Sequence, residues 1–293
     1  MKEITFIINP ISGHGQKKIV EKSIEQYLSS KFKLNIQYTK APKHAIELSR
    51  TASKSSDIIV AVGGDGSIHE VAQPLVDSRT ILGIIPMGSG NGLARHLEIP
   101  LNIKKAIELI NQQYYQEIDL LDFGDVYGLN VSGIGFDAHI AHQFSKSKKR
   151  GFFSYVKISF KEFIKYKAQE YTIKIDHNDS FKTNAFLISL ANSSQFGNNA
   201  YIAPEAKIND GIFELIILSE LKKIIAPSIG LKLFTKKIDS SKYVNIIKSK
   251  NISIKSTSDF AFHIDGENMG LRKEINVKIK PSSLKVIVPS PIS

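Results

Sequence analysis

The sequence predicts an α/β domain built on a doubly wound parallel sheet, followed by a β-rich second domain. Three observations carry that prediction. In the first 125 residues, short Val/Ile-rich runs alternate with helical patterns, and three of those runs enter a glycine-containing loop. Beyond about Asp122, most segments alternate apolar and polar residues with a period of two. Charge divides at the same place. Residues 1–125 hold 14 Lys/Arg and 14 Asp/Glu, whereas residues 126–293 hold 25 and 14 and so carry the whole net charge of +11. A neutral half and a basic half suit two domains with different tasks, 1–125 and 126–280, and 293 residues are enough for both.

In chain order, Ile4–Ile8 reads as the first strand, running into Asn9-Pro10-Ile11-Ser12-Gly13-His14-Gly15 and a helical pattern from about Lys17 to Leu28. Leu34–Tyr38 alternates like a strand and ends at Thr39, and His44–Ser53 has helical spacing. The stretch Asp57–Arg95 repeats one grammar twice. Ile58–Val62 enters Gly63-Gly64-Asp65-Gly66-Ser67 and a helix start, and Ile81–Pro86 enters Met87-Gly88-Ser89-Gly90-Asn91-Gly92 and another. Continuous apolar runs of this length suit parallel strands covered on both faces. Glycines at a strand-to-helix turn let backbone N–H groups approach an anion, and the helix N-terminus adds a favourable dipole. The two loops are therefore expected to bind phosphate at the carboxyl edge of the sheet. Pro100 ends one helix, and Ile103–Ile110 gives the next.

The second half opens with a strand-like run at Tyr127–Ser132, followed by Gly133-Ile134-Gly135-Phe136-Asp137-Ala138. One long helix is expected from about Phe152 to Lys167. Strands are expected at Tyr171–Ile175, Asn184–Ala191, Gly211–Leu218, Asn251–Ile254, Ala261–Ile264 and Glu274–Ile279, with a last one at Leu284–Val288.

Composition excludes several classes. With no cysteine there are no disulfides and no thiolate metal sites. No apolar run approaches the roughly 18 residues of a membrane span, and the start is too short for a signal peptide, so a cytoplasmic chain is expected. Two basic patches, 142–168 and 221–256, hold eight and nine Lys/Arg against Glu162 and Asp239 alone. They read either as solvated surface or as attraction to an anionic membrane; no nucleic-acid motif accompanies them, so no nucleic-acid partner is expected. The strict P-loop is absent. Gly133-x-Gly135-x-x-Ala138 fits a dinucleotide fingerprint only formally, since it follows the α/β region instead of opening it. His69-Glu70 lacks the second histidine of a zinc helix and reads as a surface pair.

Taken together, Asn9-Pro10-x-Ser12-Gly13, Gly63-Gly64-Asp65-Gly66-Ser67 with Glu70, and Pro86-x-Gly88-Ser89-Gly90-Asn91 resemble the diacylglycerol kinase catalytic-domain family, which includes bacterial lipid kinases and sphingosine kinases. The resemblance continues through Gly133–Ala138, Pro204-x-Ala206, Asp210-Gly211 and Asp265-Gly266-Glu267, in order along nearly the whole chain. It implies a nucleotide-binding α/β domain, a sandwich-like acceptor domain, an active site in the cleft between them, and a tail, 281–293, that returns to the first domain. It further implies an ATP- and Mg²⁺-dependent lipid kinase that is peripherally associated with an anionic membrane surface. By resemblance, Asp65 and Glu267 are the catalytic candidates, Glu267 as general base. Asn9, Ser12, Thr39, Gly63, Gly64, Gly66, Ser67, Glu70, Gly88, Ser89, Gly90, Asn91 and Asp265 would line the nucleotide site. Asp65, Asp119 and Asp210 would hold metal, and Asp137 would meet the lipid substrate.

One departure is visible. Many bacterial diacylglycerol kinases have a carboxylate where this chain has Gly92, as sphingosine kinases have a small residue, so both a diacylglycerol-like and a sphingoid acceptor fit. An NAD kinase, which shares the Gly-Gly-Asp-Gly loop, and a catalytically idle nucleotide- or lipid-binding regulator are the alternatives.

Overall fold

The computed structural model describes residues 1–15, 17–145, 159, 161–163 and 165–291. Its first unit comprises Met1–Asp119 with the tail from Ser282. The strands are β1 (Lys2–Ile8), β2 (Phe32–Tyr38), β3 (Ile58–Gly63) and β4 (Ile81–Pro86), separated by helices α1 (Lys17–Tyr27), α2 (His44–Ala52) and α3 (Asp65–Ala72). After β4 come α4 (Gly92–His96), α5 (Ile103–Gln112) and β5 (Tyr115–Asp122).

Every residue of β3 is buried, as its unbroken Ile-Ile-Val-Ala-Val run requires. It pairs in parallel with β1 on one side and β4 on the other, and β2 extends the sheet in parallel beyond β1. Val286, near the chain's end, pairs in parallel with Leu82 on the far side of β4. Helices α1 and α5 pack on each other, as do α2 and α3. Burial of an apolar face holds each helix. In α5, Ala106, Ile107, Leu109 and Ile110 are buried, and the Asn102 carboxamide caps its start by accepting the Lys105 N–H at 3.1 Å.

The second unit runs from Leu120 to Pro281. It contains β6 (Tyr127–Gly128), β7 (Val131–Gly135), α6 (Phe136–Ser145), β8 (Gln169–Ile175), β9 (Phe181–Ala191), β10 (Phe213–Ser219), α7 (Ala226–Phe234), β11 (Val244–Ser249), β12 (Asn251–Ile264) and most of β13 (Glu267–Ile287). Among the described residues, β6, β7, β8, β9, β10, β11 and β12 pair antiparallel with their neighbours, as does β13 with β12. Leu215 and Ile217 of β10 face a core with Tyr171, Ile188, Phe213, Ile254 and Phe260, whereas Ile216 between them joins Val131, Ala191, Ile202, Ile229 and Ile238. Alternate residues of one strand thus feed cores on opposite faces of the sheet.

The expected Asn251–Ile254 and Ala261–Ile264 strands form one strand, β12. The expected Glu274–Ile279 and Leu284–Val288 strands likewise fall on the single 21-residue β13, apart from Val288 just past its end. The expected helix at Phe152–Lys167 lies mostly outside the described residues; of its described positions, 159 and 161–163 are helical and 165–167 are not. Most of the basic patch 142–168 lies outside them too. Among the described residues, no helix is long and apolar enough to cross a membrane.

Candidate active site

The carboxyl ends of the parallel strands gather the N-terminal candidates. Asn9 follows β1, its N–H donating to Val62 O of β3, and Thr39 follows β2, its N–H donating to Ile8 O. The Asn9 side chain does two things: Oδ1 accepts the Ile11 N–H at 3.1 Å, and Nδ2 donates to Ser67 Oγ at 3.0 Å. A methyl group on Gly63 would lie 2.5 Å from Ser67 Oγ and 3.5 Å from Ser12 Oγ, so Ser12, Gly63 and Ser67 are neighbours. Glu70, one turn into α3, accepts the N–H of Lys43 at 2.9 Å.

The two glycine loops are locked to each other. Met87 N–H donates to Gly63 O at 2.7 Å, and a methyl on Gly88 would come within 2.6 Å of Gly64 Cα, so backbone meets backbone where any side chain would collide. Asp65 closes the lock: its Oδ2 accepts the Asn91 N–H and its Oδ1 the Gly92 N–H, each at 2.8 Å. The carboxylate therefore orients the second loop and the start of α4, the helix that follows it.

Asn91 shapes the loop it belongs to. Its backbone is left-handed (φ 52°) and its side chain turns back on its own loop: Oδ1 accepts the Gly88 N–H at 2.8 Å, and Nδ2 donates to Gly88 O at 2.9 Å. Asn91 is thus a loop-shaping residue, and the Gly88 N–H is already used. The exposed Ser89 and the half-buried Gly90, whose carbonyl accepts from Arg95 Nε at 3.2 Å, form the tip of the loop. His69, expected at the surface, is buried on α3.

The metal candidates are not gathered into a protein cage, since no group of three His, Cys, Asp or Glu residues suited to a metal exists among the described residues. Asp119 is buried and accepts the Ser282 N–H at 2.8 Å, tying β5 to β13, while Asp210 accepts the Ile212 N–H at 3.3 Å in its own turn. Near Asp210, burial is the main cause that pushes the Glu214 carboxyl above its usual range, with the acidic Asp210, Glu205 and Asp239 adding to it against Lys248.

In the second unit, Asp265 sits in a left-handed turn between β12 and β13 (φ 51°), and its two oxygens accept the N–H groups of Leu129 and Asn130 at 2.8 Å each. Glu267 is exposed two residues later, at the start of β13. Asp137 lies at the start of α6, where Oδ1 accepts the Ala138 N–H at 2.7 Å. Its Oδ2 faces Ser189 Oγ at 3.3 Å and His263 Nε2 at 3.1 Å. Because His263 Nδ1 accepts the Gly266 N–H at 3.1 Å, the ring donates from Nε2 to Asp137. A Cβ on Gly133 would approach Asp137 Oδ2 within 2.7 Å, which explains why glycine precedes this network.

The chain matches the family model described as diacylglycerol kinase catalytic domain over residues 3–123, and the one described as YegS C-terminal NAD kinase beta sandwich-like domain over residues 130–288. It belongs to the diacylglycerol kinase family. A diacylglycerol kinase from Staphylococcus saprophyticus is 27% identical over 281 residues, covering 92% of this chain and 90% of its own. One from Staphylococcus aureus is 27% identical over 277 residues, covering 92% and 87%. In fold, the chain is similar to a diacylglycerol kinase from Bacillus anthracis (TM-score 0.78, 22% identity, covering 98% of this chain and 97% of that one). It is less similar to an NAD kinase from Archaeoglobus fulgidus solved with ATP (TM-score 0.56, 14% identity, covering 97% and 93%).

For a member of the diacylglycerol kinase family, the residues that sequence reasoning missed are His263 and Ser189. Through Asp137 and the Gly266 N–H they brace the turn that carries Asp265 and Glu267. Nothing in the alternating Ala261–Ile264 pattern distinguishes His263 from an ordinary inward strand residue.

Proposed function

We propose that this protein is an ATP-dependent lipid kinase that transfers the γ-phosphate to a hydroxyl of a diacylglycerol-like or sphingoid lipid. The observation that carries the reading is the pair of glycine loops locked through Asp65 at the carboxyl ends of β3 and β4, in a chain related to diacylglycerol kinases over both domains. In α3 the first helical bond is Ile68 N–H to Gly64 O, so the N–H groups of Gly66 and Ser67 precede the ladder and suit phosphate oxygens. Asn9 and Ser12 border the first loop, Thr39 follows β2 beside the end of β1, and we add to them the Gly63, Gly64 and Gly90 backbone and the Ser89 hydroxyl as the nucleotide-facing set.

Mg²⁺ is ordinarily held by one or two carboxylates, with water and substrate phosphates filling the other positions. A single carboxylate beside phosphate-binding loops fits that pattern, and Asp65 would be the protein's ligand; an ion held there would neutralise phosphate charge. In the transfer itself, the lipid oxygen bonds to the γ-phosphorus as the bond to the ADP oxygen breaks, and the hydroxyl proton passes to Glu267. We assign Asp265 to the nucleotide and Asp137 to the acceptor side, where its bond to His263 gives it a bracing role as well. We also read the N-terminal sheet as doubly wound, from the separate α1–α5 and α2–α3 pairs. A long-chain acceptor places the protein peripherally on an anionic membrane from the cytoplasmic side.

Labelled ATP with a total lipid extract, separated by thin-layer chromatography, tests this reading. A labelled lipid phosphate that depends on Glu267 (lost in Glu267→Gln) is expected; labelled ATP hydrolysis without lipid product would overturn it.

A further inference from the structure

Helix α7 is apolar on two faces, yet it lies at the surface. Ile225, the last residue of the 3-10 turn Lys223–Ile225 that leads into α7, packs inward with Ile229 and Leu233 of the helix, spaced four apart, against the core containing Val131, Ala191 and Ile216, and Ile224 belongs to the same turn. Ile224, Leu231 and Phe234 point the other way and are 87%, 65% and 53% exposed. A globular helix ordinarily sets polar residues opposite its buried stripe, so exposed Leu and Phe on the outer face call for a partner.

Charge names that partner. Residues 220–239 contain Lys222, Lys223, Lys232, Lys236 and Lys237 against Glu220 and Asp239 only. Lys222 and Lys223 are exposed and sit just before the helix, where cations work against the helix dipole and so do not serve its stability. At the other end Lys236 stacks over the Tyr201 ring at 4.5 Å, and Lys232 Nζ donates to Ser240 Oγ at 2.8 Å, which fixes two ammonium groups near the C-terminal end of the helix. An apolar stripe with lysines at both ends is the pattern that inserts into the acyl boundary while its cations meet anionic headgroups. A protein partner of equal size would need acidic groups at both ends of one apolar groove; an anionic bilayer supplies both features everywhere.

We propose that Ile224, Leu231, Phe234 and the lysines around them form a docking surface for an anionic phospholipid bilayer. The choice of a bilayer as occupant rests on the lipid-kinase reading, and none of the residues that form the surface belongs to the glycine loops or to the Asp265–Glu267 turn.

The test is co-sedimentation of the full chain with vesicles of phosphatidylglycerol and phosphatidylcholine, and with phosphatidylcholine alone. Wild type is expected on the anionic vesicles only, with release by added salt. The triple variant Ile224→Ser, Leu231→Ser, Phe234→Ser should lose about tenfold or more in partitioning. The pair Lys222→Glu, Lys223→Glu, at exposed positions ahead of α7, should lose a similar factor. Phosphorylation of a dispersed short-chain diacylglycerol should stay at the wild-type level in both. Wild-type vesicle binding by the variants, absence of wild-type binding, or conversion of a wild-type dimer to monomer by the triple variant would each overturn the proposal. Vesicle binding that follows these residues while no lipid is phosphorylated would uphold the surface and sink the kinase reading instead.

Discussion

Asp65→Asn should destabilise the N-terminal unit as well as silence it. The wild-type carboxylate accepts two backbone N–H groups, from Asn91 and Gly92, at 2.8 Å each. An amide keeps one acceptor and turns an NH₂ group toward the other donor, so one charge-assisted bond is lost and one N–H is left facing a like donor. Hydrogen bonds to a charged group contribute roughly 1.5–3 kcal/mol, so the exchange should cost about 2–3 kcal/mol, a large share of a domain's stability. The chain has no tryptophan, so urea unfolding is best followed by circular dichroism, with the slope checked against wild type to confirm a change in stability and not in denatured-state compactness. In parallel, lipid phosphorylation should fall ~100-fold or more, because the transition-state charge loses its counterpart. A wild-type urea midpoint for Asp65→Asn would refute the idea that this carboxylate ties the two loops together.

Other expectations follow from single contacts. Gly88→Ala places a methyl 2.6 Å from Gly64 Cα; it should cost about 1–3 kcal/mol and depress nucleotide binding, measured by calorimetry with ATP. Asp137→Ala strips the acceptor from His263 and Ser189, both buried, and should cost about 2–3 kcal/mol in denaturant unfolding. Burial lowers His96, at the end of α4, from 6.5 to about 4. Its folded pKa lies below the unfolded one, so the unfolded chain binds more protons between these values. Stability is therefore retained above pH 6.5 and lost as pH falls toward 4, by at most about 3 kcal/mol. His96→Gln should flatten that part of the stability–pH curve, and an unchanged curve would show that His96 does not govern it.

Much of the fold was legible where one residue pattern had one structural solution. Ile58–Val62 and Ile81–Pro86 carry no polar side chain, and glycines follow at once, so both strands fall within a residue of expectation; α4 also starts one residue early, whereas α3 starts at Asp65, three residues before the expected Ile68. The C-terminal half was harder. β12 reads as two strands because Lys255–Asp259 is polar and its register against β13 shifts between Lys255 and Phe260. β5 escaped notice because Glu117, Asp119 and Asp122 interrupt its apolar residues, although Asp119 is in fact buried against the Ser282 N–H. α7 was visible only as part of a basic patch, since its two apolar faces break the single-stripe pattern by which helices are read. At the site, glycine spacing marked the loops, but hydrogen-bond direction is not written in sequence. That Asn91 folds onto Gly88, that Asp65 reaches the loop 26 residues on, and that His263 meets Asp137 are products of tertiary packing.

We propose that these loops deliver a phosphoryl group to a lipid hydroxyl. The most direct measurement offers γ-labelled ATP, Mg²⁺, diacylglycerol in mixed micelles and NAD to the protein in one reaction, and separates the products. Label should appear in the lipid phosphate, with none in NADP, and Glu267→Gln should remove it. Label in NADP with none in lipid would make the protein an NAD kinase, and lipid labelling undiminished in Glu267→Gln would remove Glu267 as the general base.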